Sequence, residues 1–464
     1  MSEYDYRSGI EVLPQEVYNW HVRPGAFERL VPPWETVRIV DPGDGVAEGS
    51  RVTLEMKRGP KTFRWVAEHY DVVPGEQFSD RQIEGPFAKW EHQHLFKLEA
   101  KKFCVVEDHV RYELPVGALG KLVAGRSIAK DIHRTFRFRH DRTRHDLSRH
   151  RKFKHKDKLK VAVTGASGLV GAEFCNFLTA GGHEVVRLVR RAAENARTEA
   201  YWDPTVGNID AKKLEGCDAV VHLAGENVGE GTWDGEKKRR IRTSRVKGTH
   251  LISEAIAKLK NPPKVLISAS ALGYYGNRGN EELTEDSPPG EGFLAEVCQE
   301  WEAAAEPAKA AGIRVVNLRI GVVLAHRGGA LSRMIKPFSM GLGGKVSSGD
   351  QFMSWIVLDD LIGLMHYLIY NDKVEGPVNA VSPNPASNAE FTKALGQVLR
   401  RPTVATLPAG VVRKMMGEMG EELLLSSARL IPAKAQDAGY KWFYPELIPA
   451  LCLELGRPPL DLVE

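Results

Sequence analysis

The run Thr164-Gly-Ala-Ser-Gly-Leu-Val-Gly171 restricts the fold of this chain more tightly than any other feature. A short apolar segment, Leu159 to Val163, precedes it, and Val170, Phe174, Phe177 and Leu178 follow at helical spacing until Gly181-Gly182. A second apolar segment, Glu184 to Val189, comes next. Strand, glycine turn, helix and strand in that order make a βαβ unit in which each glycine has its own task. Gly165 permits the tight turn, Gly168 lets the backbone approach a pyrophosphate, and Gly171 lets helix and strand pack closely. The unpaired amides and the dipole at the helix start then face the phosphates, with Ser167 and Leu169 beside the glycines. This segment is expected to bind a dinucleotide.

The end of the second strand separates the two nicotinamide cofactors. A preference for NAD places Asp or Glu there to hold the ribose 2′-hydroxyl. This chain has Arg190 and Arg191 instead, and a guanidinium suits a 2′-phosphate. NADP(H) is therefore expected rather than NAD, the alternative being two arginines that only end a strand at the surface. Further strands alternate with helices: Ala219 to Gly225, Val265 to Ser270, a helix over Gly292 to Ala310, and a strand over Ile313 to Leu324. Such alternation gives an α/β fold, a doubly wound parallel sheet of Rossmann type, with ligands at the carboxyl ends of the strands. Leu223, Ala224, Gly225, Ser268, Ala269 and Arg319 stand at those ends and are the expected remainder of the cofactor surface.

Six segments now occur in order: TGASGLVG, HLAGENV (His222 to Val228), RIRTSRVKGT (Arg240 to Thr249), SASALGYYG (Ser268 to Gly276), FLAEVCQEWE (Phe293 to Glu302) and LRIGVVL (Leu318 to Leu324). Together they resemble the epimerase branch of the extended short-chain dehydrogenase/reductases, in particular its atypical nucleoside-diphosphate-sugar epimerase or cell-division-inhibitor-like members. GDQFMSWIVLDDL (Gly349 to Leu361) and the tail from Glu422 to Pro445 resemble the same group with its small C-terminal domain. The resemblance covers roughly residues 158 to 455. It implies a catalytic Ser with a Tyr-x-x-x-Lys pair, in which Lys lowers the Tyr pKa while hydride moves to or from nicotinamide. Ser270, with Ser268 second, answers to the serine; no Tyr-x-x-x-Lys stands on the following helix. Tyr274, Tyr275 and Glu226 are the candidate substitutes, and Glu296 lies on the altered helix. Loop packing is the competing account of the two tyrosines. Gln351 and Trp355 fall where extended members bind substrate, with Trp355 equally suited to a core, and Asp359 and Asp360 read as a helix N-cap.

Residues 1 to 147 follow a period of two instead. Val52, Leu54 and Met56 share a face, as do Phe63, Trp65, Ala67 and His69; Trp90, His92, His94, Phe96 and Leu98; and Val106, Asp108, Val110, Tyr112 and Leu114. Antiparallel strands wetted on one side are expected, with a covering helix from Leu122 to Phe138. This pattern, with His21 to Glu35 and Gly85 to His94, resembles the START-like (polyketide cyclase/dehydrase) domain, an α+β helix-grip fold around an apolar cavity. His69, His92, His94 and Asp108 fall on the apolar faces, where unpartnered polar groups cost several kcal/mol. Two readings stand side by side: a cavity for a hydrophobic or amphipathic ligand, contacted by Trp65, Trp90 and Tyr112 and oriented by His92, His94 and Asp108, or a mutually satisfied His–Asp network. A metal site ranks third, since only the His92/His94 pair has suitable spacing, and no metal is expected.

A chain of 464 residues is too long for one core. The expected division is a START-like domain over 1–147, a basic connector over 148–158, a Rossmann domain over 159–405 and a small C-terminal domain over 406–464. The strongly basic run Arg137 to Lys160 reads as a solvated helix end leading into the connector. A net charge of +4 without interleaved aromatics gives no support to a nucleic-acid partner. No apolar run is long enough for a membrane span, the start lacks signal-peptide character, and five scattered cysteines suit a reduced, cytoplasmic protein. The expected activity is an NADP(H)-binding, epimerase-like oxidoreductase coupled to a hydrophobic-ligand domain. The alternatives are a non-catalytic NADP(H)/ligand sensor and, behind it, a nucleotide-sugar epimerase, which needs the missing Tyr-x-x-x-Lys. Substrate and oligomeric state are not written in the sequence.

Overall fold

The computed structural model describes residues 1–115 and 118–458. The chain forms two compact units, the first mainly Met1–Asp157 and the second mainly Lys158–Cys175 with His183–Leu455.

The first unit runs β1 (Ser2–Ile10), α1 (Pro14–His21), α2 (Ala26–Leu30), β2 (Thr36–Asp41), β3 (Arg51–Arg58), β4 (Lys61–Val73), β5 (Gln77–Glu84), β6 (Lys89–Ala100), β7 (Phe103–Glu113) and α3 (Ala118–Lys152). Its strands form one antiparallel sheet in the order β1-β7-β6-β5-β4-β3-β2. Because side chains alternate across a strand, the expected apolar faces meet in register: Leu54 with Trp65, Trp90 with Tyr112, Phe96 with Val106. Leu98 departs from this pattern and is exposed, since β6 runs there toward its turn, beyond the packed core. Two strands escaped the pattern. β1 alternates half-buried Tyr4 and Tyr6 with charged residues, and β5 carries Asp80 at its centre.

Helix α3 covers the sheet and runs on to Lys152, well past Phe138. Ile132, Phe136, His140, Thr143 and Leu147 are buried and recur every three or four residues, the stripe of a core-facing helix. Most of the basic run from Arg137 is therefore structural helix, not a solvated end, and the expected connector is helical as far as Lys152. Polar residues at the inner positions had hidden the stripe. Asp146 on α3 accepts from Arg29 on α2 at 2.8 and 2.6 Å, with both side chains fully buried.

In the second unit the order is β8 (Lys160–Thr164), α4 (Leu169–Ala180), β9 (Glu184–Val189), β10 (Glu199–Asp203), β11 (Asn208–Ile209), β12 (Ala219–His222), α5 (Gly235–Ala257), β13 (Val265–Ala271), α6 (Phe293–Ala303), β14 (Arg314–Ile320), α7 (Leu358–Tyr370) and β15 (Gly376–Ala380). The sheet order is β11-β10-β9-β8-β12-β13-β14-β15, parallel except for β11 on β10. The chain leaves β8 toward β9 on one side and returns to β12 on the other, which makes the carboxyl end of β8 the switch point where such sheets bind ligands. The helix expected over Gly292 to Ala310 breaks after Ala303 and resumes at Glu306, with Pro307 at its start. The strand expected to Leu324 breaks at Gly321, and Val322–Leu324 turns away to pair with Trp355–Val357. Helices α8 (Asn388–Leu399), α9 (Ala409–Gly420) and α10 (Leu447–Leu455) complete the unit, where Leu451 and Leu455 pack with Phe391 and Trp355. Among the described residues no helix is long and apolar enough to cross a membrane.

Candidate functional site

The glycine turn sits at the switch point with the backbone its residues demand. Gly165 has φ +65°, and a Cβ there would stand 3.0 Å from the Ala224 amide nitrogen. A Cβ on Gly171 would lie 2.2 Å from the Gly165 carbonyl oxygen, so only glycine lets α4 start this close to β8. Thr164 Oγ1 accepts from the amides of Leu223 and Ala224 at 3.1 and 3.3 Å and stands 2.7 Å from His222 Nδ1. With both amides donating to it, the hydroxyl's own proton is left for the imidazole. Burial pushes His222 down to about 4, which keeps it neutral. The ends of β8 and β12 are thus locked together, leaving Ser167 and Gly168 exposed at the start of α4. The cradle fits a pyrophosphate: small residues, free first-turn amides and an open face.

Of the two arginines expected beside a 2′-phosphate, one is already engaged. Arg191 forms a two-pronged pair with Glu199 at 3.0 and 2.6 Å, and that hydrogen bond leads the causes that hold the Glu199 carboxyl down at about 2. Arg190 is exposed and has no hydrogen bond or ion pair among the described residues.

The candidate catalytic residues fare differently. Ser270 is buried and donates to Glu302 at 2.7 Å; Arg319 grips the same carboxylate at 2.8 and 2.9 Å. Arg319 also donates to the Tyr275 hydroxyl at 2.8 Å, and that hydroxyl bonds Asn379 Oδ1 at 2.7 Å and the Thr284 carbonyl at 3.0 Å. Tyr275 is wholly buried, and burial pushes its phenol up to about 12. Ser270, Tyr275 and Arg319 are therefore parts of one closed polar lattice, not groups presented to a cofactor, because every polar end already has a protein partner. Ser268 and Ala269 are likewise buried in β13. Tyr274 is different: half-buried, its ring lies 3.4 Å beneath the Arg319 guanidinium, and its hydroxyl has no partner among the described residues. Glu226 accepts from Lys237 at 2.7 Å, the main cause of its lowered pKa, with Arg240 at 3.6 Å.

Gln351 donates to the carbonyls of Val346 and Leu424, and Trp355 is fully buried in the C-terminal core. Asp359 and Asp360 lie inside the first turn of α7, whose cap position is Val357; Asp360 instead accepts from the amides of Phe443 and Tyr444. One residue escaped the sequence reading. Glu422, on the segment after α9, accepts from the amides of Phe293 and Leu294 at 2.9 Å each and so closes the start of α6.

In the first unit the inward polar residues converge. His92 Nε2 is 3.0 Å from Asp108 Oδ1, His140 Nε2 is 2.5 Å from Asp108 Oδ2, and His94 Nδ1 lies 2.6 Å from Oδ1, at ion-pair distance without good hydrogen-bond alignment. Asp80 faces the other side of His92 at 3.1 Å. Burial lowers His92, but the charge of Asp80 and its bonds to both carboxylates outweigh this and raise it to about 9. Burial and the nearby His92 charge push His94 down to about 4. The adjoining cavity, bordered by Ile10, His21, His94, Asp108 and His140, has room for about one water. His92 and His140 are thus hydrogen-bonded to Asp108, whereas the buried Nδ1 atoms of His69 and His94 have no hydrogen-bond partner. Trp65, Phe87, Trp90 and Tyr112 form a cluster against Ile132 and Phe136 of α3.

Three family models match the chain: the NAD dependent epimerase/dehydratase family over 161–380, a domain of unknown function (DUF1731) over 407–452, and polyketide cyclase/dehydrase and lipid transport over 10–136. The Mycobacterium leprae epimerase family protein ML0860 is 41% identical over 301 residues, 65% of this chain and 97% of the relative. The human epimerase family protein SDR39U1 is 36% identical over 63% of this chain and 98% of its own length. Among solved structures, the nucleoside-diphosphate sugar epimerase from Corynebacterium glutamicum is similar over 99% of this chain and 91% of its own, at 32% identity and TM-score 0.81. Human SDR39U1 (isoform 2) with NADPH is similar over 66% of this chain and all of its own, at 34% identity and TM-score 0.59.

Proposed function

This chain belongs to the epimerase family, in the group that carries the DUF1731 domain, and from that premise we propose that its second unit is an NADP(H)-binding oxidoreductase. The observation that carries the reading is the pairing of an open glycine cradle with one uncommitted guanidinium, Arg190, at the end of β9. The first-turn amides of α4 hold the pyrophosphate, and Arg190 takes the 2′-phosphate in a charge-assisted contact. Arg191 stays on Glu199, orienting the loop after β9. The bound nicotinamide supplies or accepts the hydride. Tyr274 is the tyrosine free to hold or move a proton at its hydroxyl, and Glu226, ionised on Lys237, sets the charge of the loop after β12. The crystallised NADPH complex of human SDR39U1 supports the choice of cofactor.

Titrating the whole protein with NADPH and NADH, read by nicotinamide fluorescence, tests this. NADPH should bind more tightly than NADH, and Arg190→Asp should weaken NADPH at least tenfold, about 1.4 kcal/mol, while sparing NADH. Equal binding of both cofactors, unchanged by the substitution, would sink the assignment. Tyr274→Phe should then lower turnover of a carbonyl substrate without changing NADPH affinity. A non-catalytic cofactor sensor is the second reading, favoured by one fact: the serine and Tyr275 are locked in the Glu302–Arg319–Asn379 lattice. For the first unit, its match to the polyketide cyclase and lipid transport family supports a small hydrophobic ligand against Trp65, Phe87 and Trp90. Quenching of tryptophan fluorescence by an apolar probe, lost in Trp90→Ala, is the expected result.

A further inference from the structure

We propose that the first unit holds a first-row divalent transition-metal ion between Asp80, His92 and His94. The strand register brings these residues together. Asp80 on β5 is the cross-strand partner of His92 on β6, and His94, two residues on, faces the same side of the sheet. Asp80 Oδ2 lies 3.1 Å from His92 Nδ1 and 3.9 Å from His94 Nε2, and one ligand atom from each of the three residues falls within 4.8 Å of the others. An ion with bonds of about 2.0–2.2 Å holds its donor atoms roughly 3–3.6 Å apart, so the group must contract by up to roughly 1–2 Å at its widest pair.

What separates this arrangement from a merely satisfied polar network is the residue behind it. Asp108 on β7 is hydrogen-bonded to the rear nitrogen of His92, Nε2 at 3.0 Å, and stands 2.6 Å from His94 Nδ1 without hydrogen-bond alignment, while His140 fills its second oxygen. A carboxylate at the far nitrogen of each ligand histidine is how metal sites fix ring orientation and strengthen the donor. Both front nitrogens lie on the side of one Asp80 oxygen, and only that of His92 is within hydrogen-bond distance of it. His69, opposite Asp80 on β4, has a buried Nδ1 with no hydrogen-bond partner but lies outside the three-residue group. The histidines are buried, whereas the Asp80 side chain keeps 16% of its surface, so an ion enters from that edge and retains water there. Two imidazoles with one carboxylate favour Zn²⁺, Co²⁺, Ni²⁺ or Fe²⁺ over Mg²⁺ and Ca²⁺, which prefer all-oxygen sets.

Chelator-treated, tag-free whole protein titrated with Zn²⁺ and, separately, Co²⁺ tests the site by calorimetry and by the visible absorption of bound Co²⁺. One ion per chain is expected, with micromolar or tighter affinity. Asp80→Ala should abolish the Co²⁺ spectrum, Asp108→Asn should weaken binding about 10–100-fold with its ligands in place, and Asp5→Asn, at the separate surface pair with His109, should change nothing. Circular dichroism identifies any variant that unfolds. Asp80→Asn keeps the shape of the side chain and is read alongside, so that loss of the Co²⁺ spectrum in a folded variant is separable from unfolding. No uptake by the folded wild-type protein at micromolar metal overturns the proposal. So does a Co²⁺ spectrum that survives in folded Asp80→Ala.

Discussion

At the scale of single residues, chain position and commitment are separate properties. Ser270 answers to the serine of the family pattern, Tyr275 to a candidate substitute for its tyrosine, and Arg319 to the expected cofactor surface. The pattern could not reveal that Glu302, Asn379 and Thr284 already hold their polar atoms. Such partners come from distant parts of the chain, so no local spacing records them. Tyr275→Phe should therefore cost about 1–3 kcal/mol of stability, because Asn379 and Arg319 are left short of a buried partner. NADPH affinity should not move; a matching loss of cofactor binding without loss of stability would return Tyr275 to the site. His222 gives a second test at this scale. Its folded pKa, about 4, lies below the ordinary 6.5, so between those values the unfolded chain binds a proton that the folded one refuses. Stability present at neutral pH is lost as pH falls from 6.5 to 4, by up to about 3 kcal/mol, and is flat below. Urea unfolding at pH 7 and pH 4.5 should show a smaller drop for His222→Asn than for wild type. Equal drops would place the acid sensitivity elsewhere.

Among the elements, period was a better guide than composition. Two-residue alternation gave β3, β4, β6 and β7 with their faces, and the glycine turn gave β8, α4 and β9. The charge of the run from Arg137 suggests solvent and so a covering helix that ends at Phe138, although His140, Thr143 and Asp146 occupy inner positions of α3. β5, and with it Asp80, is not legible in the sequence, since a strand carrying Asp and Arg at its centre has weak hydrophobic contrast. The Arg29–Asp146 pair shows what the inner face of α3 contributes. Asp146→Ala removes the carboxylate paired with the buried Arg29 guanidinium and should destabilise the first unit by about 3–5 kcal/mol, whereas Arg29→Met with Asp146→Leu should recover much of that loss. Thermal unfolding of the single and double variants distinguishes the cases; a double variant no better than the single would mean that the pair is not the source.

For the molecule as a whole, the change from period two to alternating strands and helices falls between two compact units, and the packing of the tail into the second is invisible in the sequence because its partners lie far upstream. Each body has its own proposed ligand, so each should respond separately. NADPH at about 100 times its Kd adds roughly 2.7 kcal/mol to whatever it binds. Calorimetry of the full chain should show NADPH raising one transition and Zn²⁺ another, with Arg190→Asp silencing only the first. A single transition raised by either ligand would mean that the bodies unfold together.

The contact from Glu422 to the start of α6 reaches beyond its local geometry. Two backbone amides near residue 293 depend on a carboxylate some 130 residues later, so the tail is a working part of the helix that faces it rather than an appendix. Anyone trimming or exchanging the end of this protein, whether to shorten it or to graft its cofactor unit elsewhere, must carry the chain at least through Glu422. A cut before it leaves a helix whose opening turn is missing a part that no upstream residue was placed to supply.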